Sequence, residues 1–360
     1  MNNLKAIIKH GQSIWLDLLD RNLMDSGKLK KLIQEDGLRG LTSNPAIFEK
    51  AISNSTDYDE DIAELSKKVL DNEDIFFEVA VSDIQRAADI FKSVYDNTNG
   101  NDGFVSLEVS PRLARDTEGT IQQARELWQK VDRKNVMIKI PGTAEGLPAI
   151  RQCISEGINV NVTLLFGLER YRKVTEAYMG GLEDRLKTGQ SINHVQSVAS
   201  FFLSRIDVMV DPMLEEKGLE GLKGEVAIAS AKKAYNIYEE VFSSERFKVL
   251  ETKGAKPQRV LWASTSTKDP SYSDVKYVEA LIGDNTINTV PMETLDAFRD
   301  HGKANMSLKD DMEKAAKVLE EVEKAGIHME QVAQDLVKEG IDKFNAPFEK
   351  LLRGIEEQKK

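Results

Sequence analysis

Short apolar runs typical of strands alternate with helix-length segments along most of this chain. We predict eight strands, at residues 13–18, 40–44, 103–109, 136–140, 158–163, 195–200, 259–264 and 286–290. Helical patterns fall between them, at 26–35, 75–95, 118–130, 144–156, 167–179, 201–216 and 225–242. Strands that alternate with helices indicate a parallel sheet, and eight such units match a closed (β/α)8 TIM barrel of the α/β class. An open doubly wound sheet would want a Gly-rich first turn, and no G-x-G-x-x-G follows the first strand.

The chain length fits one enlarged barrel. With 360 residues the chain exceeds the typical barrel, but barrels with insertions often run longer as a single domain. Residues 307–360 show helical periodicity, dense Glu and Lys and no clear strand. We therefore predict one barrel domain over 1–360, with added helices and a C-terminal helical extension at 307–360 that packs on the barrel.

Charge and composition exclude several classes of partner. The chain has 49 Lys and Arg against 60 Asp and Glu, and this acidic balance argues against binding to nucleic acid or to an anionic membrane. No stretch approaches about 18 consecutive apolar residues, and the first residues lack a signal-peptide core. The single Cys153 cannot form an intramolecular disulfide. We predict a cytoplasmic protein with no membrane partner, and the sequence leaves open whether it forms a homo-oligomer.

The fourth predicted strand carries a lysine among apolar residues. In VMIKI at 136–140, the three aliphatic residues share one face, and Lys139 lies on the other face, toward the barrel interior. Burial of an ammonium is costly, and desolvation favours the neutral amine that a Schiff-base nucleophile needs. The alternative is a lysine that binds phosphate or pairs with a carboxylate at the barrel mouth. The strand alone does not decide between the two.

Polar residues also occur near the ends of other strands, where α/β barrels hold their catalytic groups. They are Asp17, Asn44, Glu108, Asn161 and Thr163. Each alone is equally compatible with a hydrogen-bonded interior group. Together with an amine they suit imine chemistry, because a carboxylate and a hydroxyl can hold and activate a water while a second carboxylate serves as the acid/base for carbon–carbon cleavage.

A candidate anion site follows the sixth predicted strand. In SFFLSR at 200–205, Arg205 begins a helix just after a strand, where guanidinium and backbone N–H groups both favour anions. A surface ion pair is the alternative for Arg205.

Three segments resemble the transaldolase family. The motif GLTSNPAIF at 40–48 is similar to the family's first signature, and VMIKIPGTAEGLPAI at 136–150 to its second, which contains the Schiff-base lysine. A third stretch, GINVNVTLLF at 157–166, is also typical of the family. The resemblance runs from about residue 13 to residue 264 and is less distinct beyond.

The resemblance implies a class I aldolase-like barrel with no metal or organic cofactor and with sugar phosphates as substrates. It implies transfer of a dihydroxyacetone unit from sedoheptulose 7-phosphate to glyceraldehyde 3-phosphate, within the non-oxidative pentose phosphate pathway. Lys139 would form the imine, Asp17 would be the acid/base, and Glu108 with Thr163 would position the catalytic water. The residues expected to contact substrate are Asn44, Asn161, Ser200, Phe202, Arg205 and Ser264.

The chain departs from the shorter transaldolases at its phosphate site and at its surface. Those forms carry a second phosphate-binding arginine after the seventh strand, where this chain has TSTK at 265–268, so Lys268 is the candidate replacement. The connection at 177–196 is longer than expected, and Trp262 is unusual except in a longer bacterial subfamily.

Two alternative activities remain on the same barrel. A fructose 6-phosphate aldolase-type lyase would be expected to carry glutamine at Glu108 and tyrosine at Phe202. A metal-dependent isomerase or epimerase would gather histidines, but the four in this chain lie in no His-x-His or His-x-x-x-His spacing. A catalytically inactive binding module conflicts with an intact set of Lys139, Glu108 and Asp17.

Overall fold

Eight parallel strands close into a barrel in sequence order. A computed structural model describes residues 2–359 of the chain. Parallel pairing of β1 with both β2 and β8 closes the sheet, and Trp15 lies opposite Gly40 on one side and Thr289 on the other. The predicted (β/α)8 barrel is therefore confirmed. The strands are β1 Gln12–Asp17, β2 Gly40–Thr42, β3 Phe104–Glu108, β4 Val136–Pro141, β5 Val160–Leu165, β6 Ser197–Phe202, β7 Arg259–Ala263 and β8 Thr286–Val290.

Helices follow every strand and surround the barrel. Short π-helical and 3₁₀ turns supplement them at Leu32–Asp36, Pro111–Leu113 and Glu220–Leu222. Within residues 2–359, no helix combines the length and the apolar character needed to cross a membrane. The α-helices are α1 Asn3–Lys9, α2 Arg21–Asp25, α3 Lys28–Lys31, α4 Pro45–Ser53, α5 Asp59–Ser66, α6 Asn72–Asn97, α7 Thr117–Val131, α8 Gly146–Glu156, α9 Leu168–Lys187, α10 Ser204–Glu216, α11 Val226–Phe242, α12 Glu245–Glu251, α13 Lys276–Glu279, α14 Met292–His301, α15 Met312–Lys324 and α16 Met329–Gln358.

Several predicted boundaries are wrong by a few residues. The helix predicted at 201–216 begins at Ser204, because Phe201 and Phe202 complete β6. Strand β5 continues past Thr163 to Leu165, whereas β2 ends at Thr42. The helix predicted at 26–35 is only a short helix followed by a π-helical turn, and much of the long connection at 177–196 is the continuation of α9 to residue 187.

The register places one layer of polar side chains inside the barrel. Glu108 on β3 pairs with Lys139 on β4, and Lys139 pairs with Asn161 on β5. Neighbouring residues of parallel strands point to the same side, so these three side chains share the interior. Below this layer Trp15 fills the barrel, and Gly40 allows its approach: a Cβ on Gly40 would lie 2.5 Å from the indole ring.

The two C-terminal helices occupy the region predicted as a helical extension. The longer one, α16, packs against α4, α6 and α10 and against β5. Its apolar side, which includes Leu336, Phe348 and Ile355, is buried. This helix therefore lies beside the end of the barrel at which the strands terminate.

Candidate active site

A cavity of about 880 Å³ opens at the C-terminal ends of the strands. In α/β barrels this end holds the reacting groups. Three of the predicted site residues, Glu108, Asn161 and Thr163, do not line it and are buried beneath it. The eight that line it are Asp17, Asn44, Lys139, Ser200, Phe202, Arg205, Ser264 and Lys268.

Lys139 lies at the bottom of this cavity. Its side chain is 6% exposed, and its Nζ is 3.2 Å from Glu108 Oε2. The amine also donates a hydrogen bond of 3.2 Å to the carbonyl oxygen of Ser43, which follows β2. A buried amine so held has few rotamers open to it, and it points into a space large enough for a ligand.

Glu108 is a buried carboxyl group with spare hydrogen-bonding capacity. Burial raises the pKa of Glu108, and the charge of Lys139 opposes that rise. Apart from the ion pair, neither of its oxygens has a hydrogen-bond partner among the described residues, and the buried hydroxyl of Thr163 also has none. Buried polar atoms are normally satisfied, so these oxygens are suited to hydrogen-bond a water or a substrate hydroxyl.

Asp17 ends β1 and reaches the cavity from the side of β2. It accepts a hydrogen bond of 2.6 Å from the hydroxyl of Thr42, which lies 2.7 Å from the hydroxyl of Thr289 on β8. Burial raises the pKa of Asp17, while Lys139 acts in the opposite direction. A carboxyl group with a raised pKa, held in place by a hydroxyl, takes up and returns a proton at a higher pH than an ordinary aspartate does.

Asn161 belongs to a chain of hydrogen bonds beneath the cavity. Its amide nitrogen donates to Ser106 Oγ at 3.0 Å, and its amide oxygen accepts from Ser200 Oγ at 2.7 Å. The residue is fully buried. Asn161 therefore orients Ser200, which does line the cavity.

Arg205 lies in the first turn of α10 between two aromatic rings. Its guanidinium carbon is 5.5 Å from the ring centroid of Phe202 and 5.7 Å from that of Phe344. Burial lowers the pKa of Arg205, and its Nη1 has no hydrogen-bond partner in the described part of the chain. No ion pair to Arg205 is formed within residues 2–359, in contrast to the surface pairing considered above. A partly buried guanidinium without an ion-pair partner favours an anionic ligand.

The remaining predicted residues lie nearer the rim of the cavity. Ser264 follows β7 with a φ of +55°, a strained conformation for serine, and its hydroxyl lies 2.8 Å from that of Ser204. Lys268 is exposed and donates to Ser266 Oγ at 2.7 Å. Asn44 caps α4: its amide oxygen accepts from the backbone N–H of Ile47 at 3.0 Å, and its amide nitrogen is free to donate to a ligand.

The residues of the cavity that sequence reasoning missed include Thr42, Thr289, Glu293 and Phe344. Thr289 is polar and lies near the end of a strand, so the criterion that selected Asp17 would have found it. Phe344 comes from α16, far along the chain, and no local pattern distinguishes it from the other apolar residues of that helix.

The described residues, 2–359, contain no group of three or more His, Cys, Asp or Glu side chains arranged to hold a metal ion. The cavity brings together the Lys139 amine, the Asp17 carboxyl group and several hydroxyls, with Glu108 buried beneath it. Its lining also includes the cations Lys50, Arg205 and Lys268 and the carboxyl groups of Asp20, Asp25, Asp57 and Glu293.

The chain is similar to known proteins along its whole length. The chain is 49% identical to the transaldolase of Trichodesmium erythraeum (strain IMS101) over 375 residues, which cover 100% of the chain and 98% of that protein. It is 48% identical to the transaldolase of Saccharopolyspora erythraea over 359 residues, with 99% and 98% coverage. Transaldolase 2 of Nostoc sp. (strain PCC 7120) is 46% identical, with 99% and 97% coverage. A sequence model described as Transaldolase/Fructose-6-phosphate aldolase matches residues 14–355. The chain therefore belongs to the transaldolase/fructose-6-phosphate aldolase family.

Proposed function

We propose that this chain is a transaldolase that acts through a Schiff base on Lys139. The reaction moves a dihydroxyacetone unit from sedoheptulose 7-phosphate to glyceraldehyde 3-phosphate and yields erythrose 4-phosphate and fructose 6-phosphate. The observation that carries the proposal is the buried Lys139 amine, 3.2 Å from the Glu108 carboxylate at the bottom of a cavity that Asp17 also lines. The relatives named transaldolase, similar along their whole length, support it.

The first step joins the amine to the donor ketone. Glu108 takes the proton of the Lys139 ammonium, and the free amine then adds to the ketone carbon to form a carbinolamine. Loss of water gives the imine, and the carbinolamine hydroxyl needs a proton in order to leave. A water held by the unpaired oxygens of Glu108 and Thr163 relays these protons.

The second step breaks the carbon–carbon bond. Asp17 removes the proton of the hydroxyl on the bond's far carbon, which becomes the aldehyde carbon. The bond electrons move into the protonated imine, and erythrose 4-phosphate leaves as the aldehyde. The three-carbon unit remains on Lys139 as an enamine. Attack of the enamine on glyceraldehyde 3-phosphate reverses these movements, and hydrolysis of the imine then releases fructose 6-phosphate.

The substrate is held by cations at its phosphate and by amide and hydroxyl groups along its chain. Arg205 binds the phosphate, and Lys268 at the rim is the second contact. Asn44 and Ser200 bind donor hydroxyls, with Asn161 behind Ser200, while Ser264 lies near the phosphate and Phe202 forms an apolar wall. These few local cations attract an anionic substrate although the chain has a formal net charge of -11.

The route needs no metal or organic cofactor, because the protonated imine accepts the bond electrons. We place it in the cytoplasm, as the single buried Cys153 and the pathway suggest. Activity should persist after exhaustive chelation, a result that a metal-dependent isomerase would not give.

Simple cleavage of fructose 6-phosphate is the second candidate, because the family includes such aldolases. Assays with and without an acceptor aldehyde distinguish the two. A transaldolase forms fructose 6-phosphate from sedoheptulose 7-phosphate and glyceraldehyde 3-phosphate, and it releases little dihydroxyacetone without acceptor. Rapid release of dihydroxyacetone from fructose 6-phosphate alone would contradict the proposal.

A further inference from the structure

The wall of the active-site cavity is completed by a residue from the C-terminal helix. Phe344 on α16 is 7% exposed, and its ring centroid lies 5.8 Å from Lys139 Nζ and 5.7 Å from the guanidinium carbon of Arg205. On the far side of Arg205, Phe202 packs against Phe166 with ring centroids 5.2 Å apart. The ring of Phe344 therefore covers both Lys139 and Arg205 on the side of α16, and Phe202 contacts Arg205 as well.

The backbone of α16 approaches Leu164 and Arg205 closely at Gly340, which has no side chain. A Cβ on Gly340, one turn before Phe344, would lie 2.9 Å from Leu164 Cδ2 and 3.5 Å from Arg205 Nη1. Leu164 has a φ of +57°, unusual for a bulky residue, and it directly follows Thr163 on β5. The helix thus covers a strained segment of the site.

The next turns of α16 hold the helix in this position. Phe348 packs edge-on against Phe76 of α6 with centroids 5.5 Å apart, and Lys350 forms an ion pair of 2.7 Å with Glu49 of α4. These two contacts involve helices on the outside of the barrel and not the reacting groups. Phe344 is presented to the cavity by a support that is already in place before substrate binds.

We propose that Phe344 decides the fate of the three-carbon intermediate by keeping bulk water away from the enamine carbon of the Lys139 adduct. This inference rests on the proposed transaldolase function. Release in place of transfer requires that the enamine carbon take a proton and that water then add to the imine carbon. The carbon–nitrogen bond breaks next, and free dihydroxyacetone and the Lys139 amine result. Transfer also consumes one water, when the fructose 6-phosphate imine is hydrolysed, so protonation of the enamine carbon is the step that release alone requires. The ring excludes the bulk water that would deliver this proton. It also faces the positive charge of the protonated imine and leaves the aldehyde acceptor its approach along the cavity.

The test compares release with transfer in variants of the full-length protein. Dihydroxyacetone release is measured from fructose 6-phosphate without acceptor, and transfer from sedoheptulose 7-phosphate to glyceraldehyde 3-phosphate. In Phe344→Ala we expect the ratio of release to transfer to rise by about tenfold. Phe344→Gln, which keeps much of the volume but is polar, should also raise this ratio. The apolar Phe344→Leu should keep the ratio close to the wild-type value. The ratio does not depend on the folded fraction, since both rates come from the same active molecules.

Ile341→Ala is the matched control. Ile341 lies on α16 one turn before Phe344 and lines a separate cavity of about 300 Å³ on another side of the helix, so its truncation loosens α16 without opening the wall. Its ratio should stay at the wild-type value. An unchanged ratio in both Phe344→Ala and Phe344→Gln would overturn the inference, as would an equal rise in Ile341→Ala. Wild-type protein that transfers no dihydroxyacetone at all would instead refute the proposed function.

Discussion

Buried charges lie at both ends of the barrel, and the two ends differ in how completely the protein pairs these charges. At the N-terminal end, the buried Asp102 accepts hydrogen bonds from Ser13 Oγ at 2.7 Å, from Trp15 Nε1 at 3.3 Å and from Arg259 Nη2 at 3.0 Å. This carboxylate is fully engaged with protein groups, and its ion pair with Arg259 connects the loop before β3 to β7.

At the C-terminal end, the buried charges are left incompletely paired. Of the charged groups there, Glu108 and Arg205 both retain buried polar atoms without a partner among the described residues, and so does the neighbouring neutral hydroxyl of Thr163. Unsatisfied polar groups cost stability, so a fold keeps them only where another gain offsets the cost. The comparison indicates that the network around Asp102 at the N-terminal end, the lower network, holds the barrel together. The groups around Glu108 and Arg205 at the C-terminal end are kept for a ligand. Substitutions at the two ends should therefore separate stability from activity.

The largest effect is expected from Lys139→Met. Loss of the nucleophile removes the covalent route, and turnover should fall by about 10⁴-fold or more. The free energy of unfolding should change by no more than about 2 kcal/mol, since Glu108, whose pKa burial already raises, can take up a proton when the amine is gone. Transfer assays and urea unfolding measure the two quantities. A large loss of stability together with residual turnover would remove the distinction between the two ends.

Asp102→Ala should show the reverse pattern. It removes the ion-pair partner of Arg259, which is 17% exposed and keeps its hydrogen bonds to Asn101 and Ser13, and it leaves Trp15 Nε1 without its acceptor. The loss should cost about 2–3 kcal/mol of unfolding free energy. Activity per folded molecule should stay near that of the wild type, because the network lies at the other end of the barrel. Urea unfolding and active-site titration give these values. If the midpoint for unfolding does not move, the lower network does not stabilise the barrel.

Glu108→Gln should slow transfer by about 10²-fold, because the amide cannot relay a proton. Burial raises the pKa values of Glu108 and Asp17 above their ordinary values of 4.5 and 3.8. Both groups act as bases in their ionised forms, so wild-type kcat/KM should fall as the pH drops through these raised pKa values, with a midpoint above pH 4.5. A pH profile of kcat/KM measures this limb. A slowing of less than a few-fold would exclude Glu108 from proton transfer.

The smallest effects separate the two candidate phosphate contacts. Arg205→Met should lower kcat/KM by roughly 10- to 100-fold, the value of hydrogen bonds from a charged group in a shielded site. Lys268→Ala should raise KM by no more than about fivefold with kcat unchanged, because an exposed lysine contributes little. Steady-state kinetics at two salt concentrations test this order. An effect of Lys268→Ala that equals that of Arg205→Met would place the main phosphate contact at the rim.

The barrel and its interior lysine were predictable because both depend on local periodicity. Alternation along VMIKI puts Lys139 on the interior face whatever surrounds it, and every predicted strand is present within a few residues. Asn44 shows the limit of this reasoning: it follows a strand, but the adjacent Pro45 starts a helix, and the Asn44 side chain caps that helix. Periodicity locates a residue within its helix or strand, but it does not show which groups hydrogen-bond to the polar atoms of that residue.

Contacts between distant elements were not predictable. Asp102 precedes a strand and Arg259 begins another, and no spacing in the sequence indicates that they meet beneath Trp15. Phe344 likewise belongs to a helix that the sequence identifies, but its position over Lys139 depends on how α16 packs on α4 and α6. Both cases need the closed barrel before the contact exists.

The most direct test of the account is to trap the proposed covalent intermediate. The protein is incubated with fructose 6-phosphate, reduced with borohydride, digested and analysed by mass spectrometry. We predict one reduced dihydroxyacetone adduct, on the peptide that contains Lys139, and no adduct in Lys139→Met. An adduct on another lysine, or none at all in protein that carries out transfer, would contradict the central assignment.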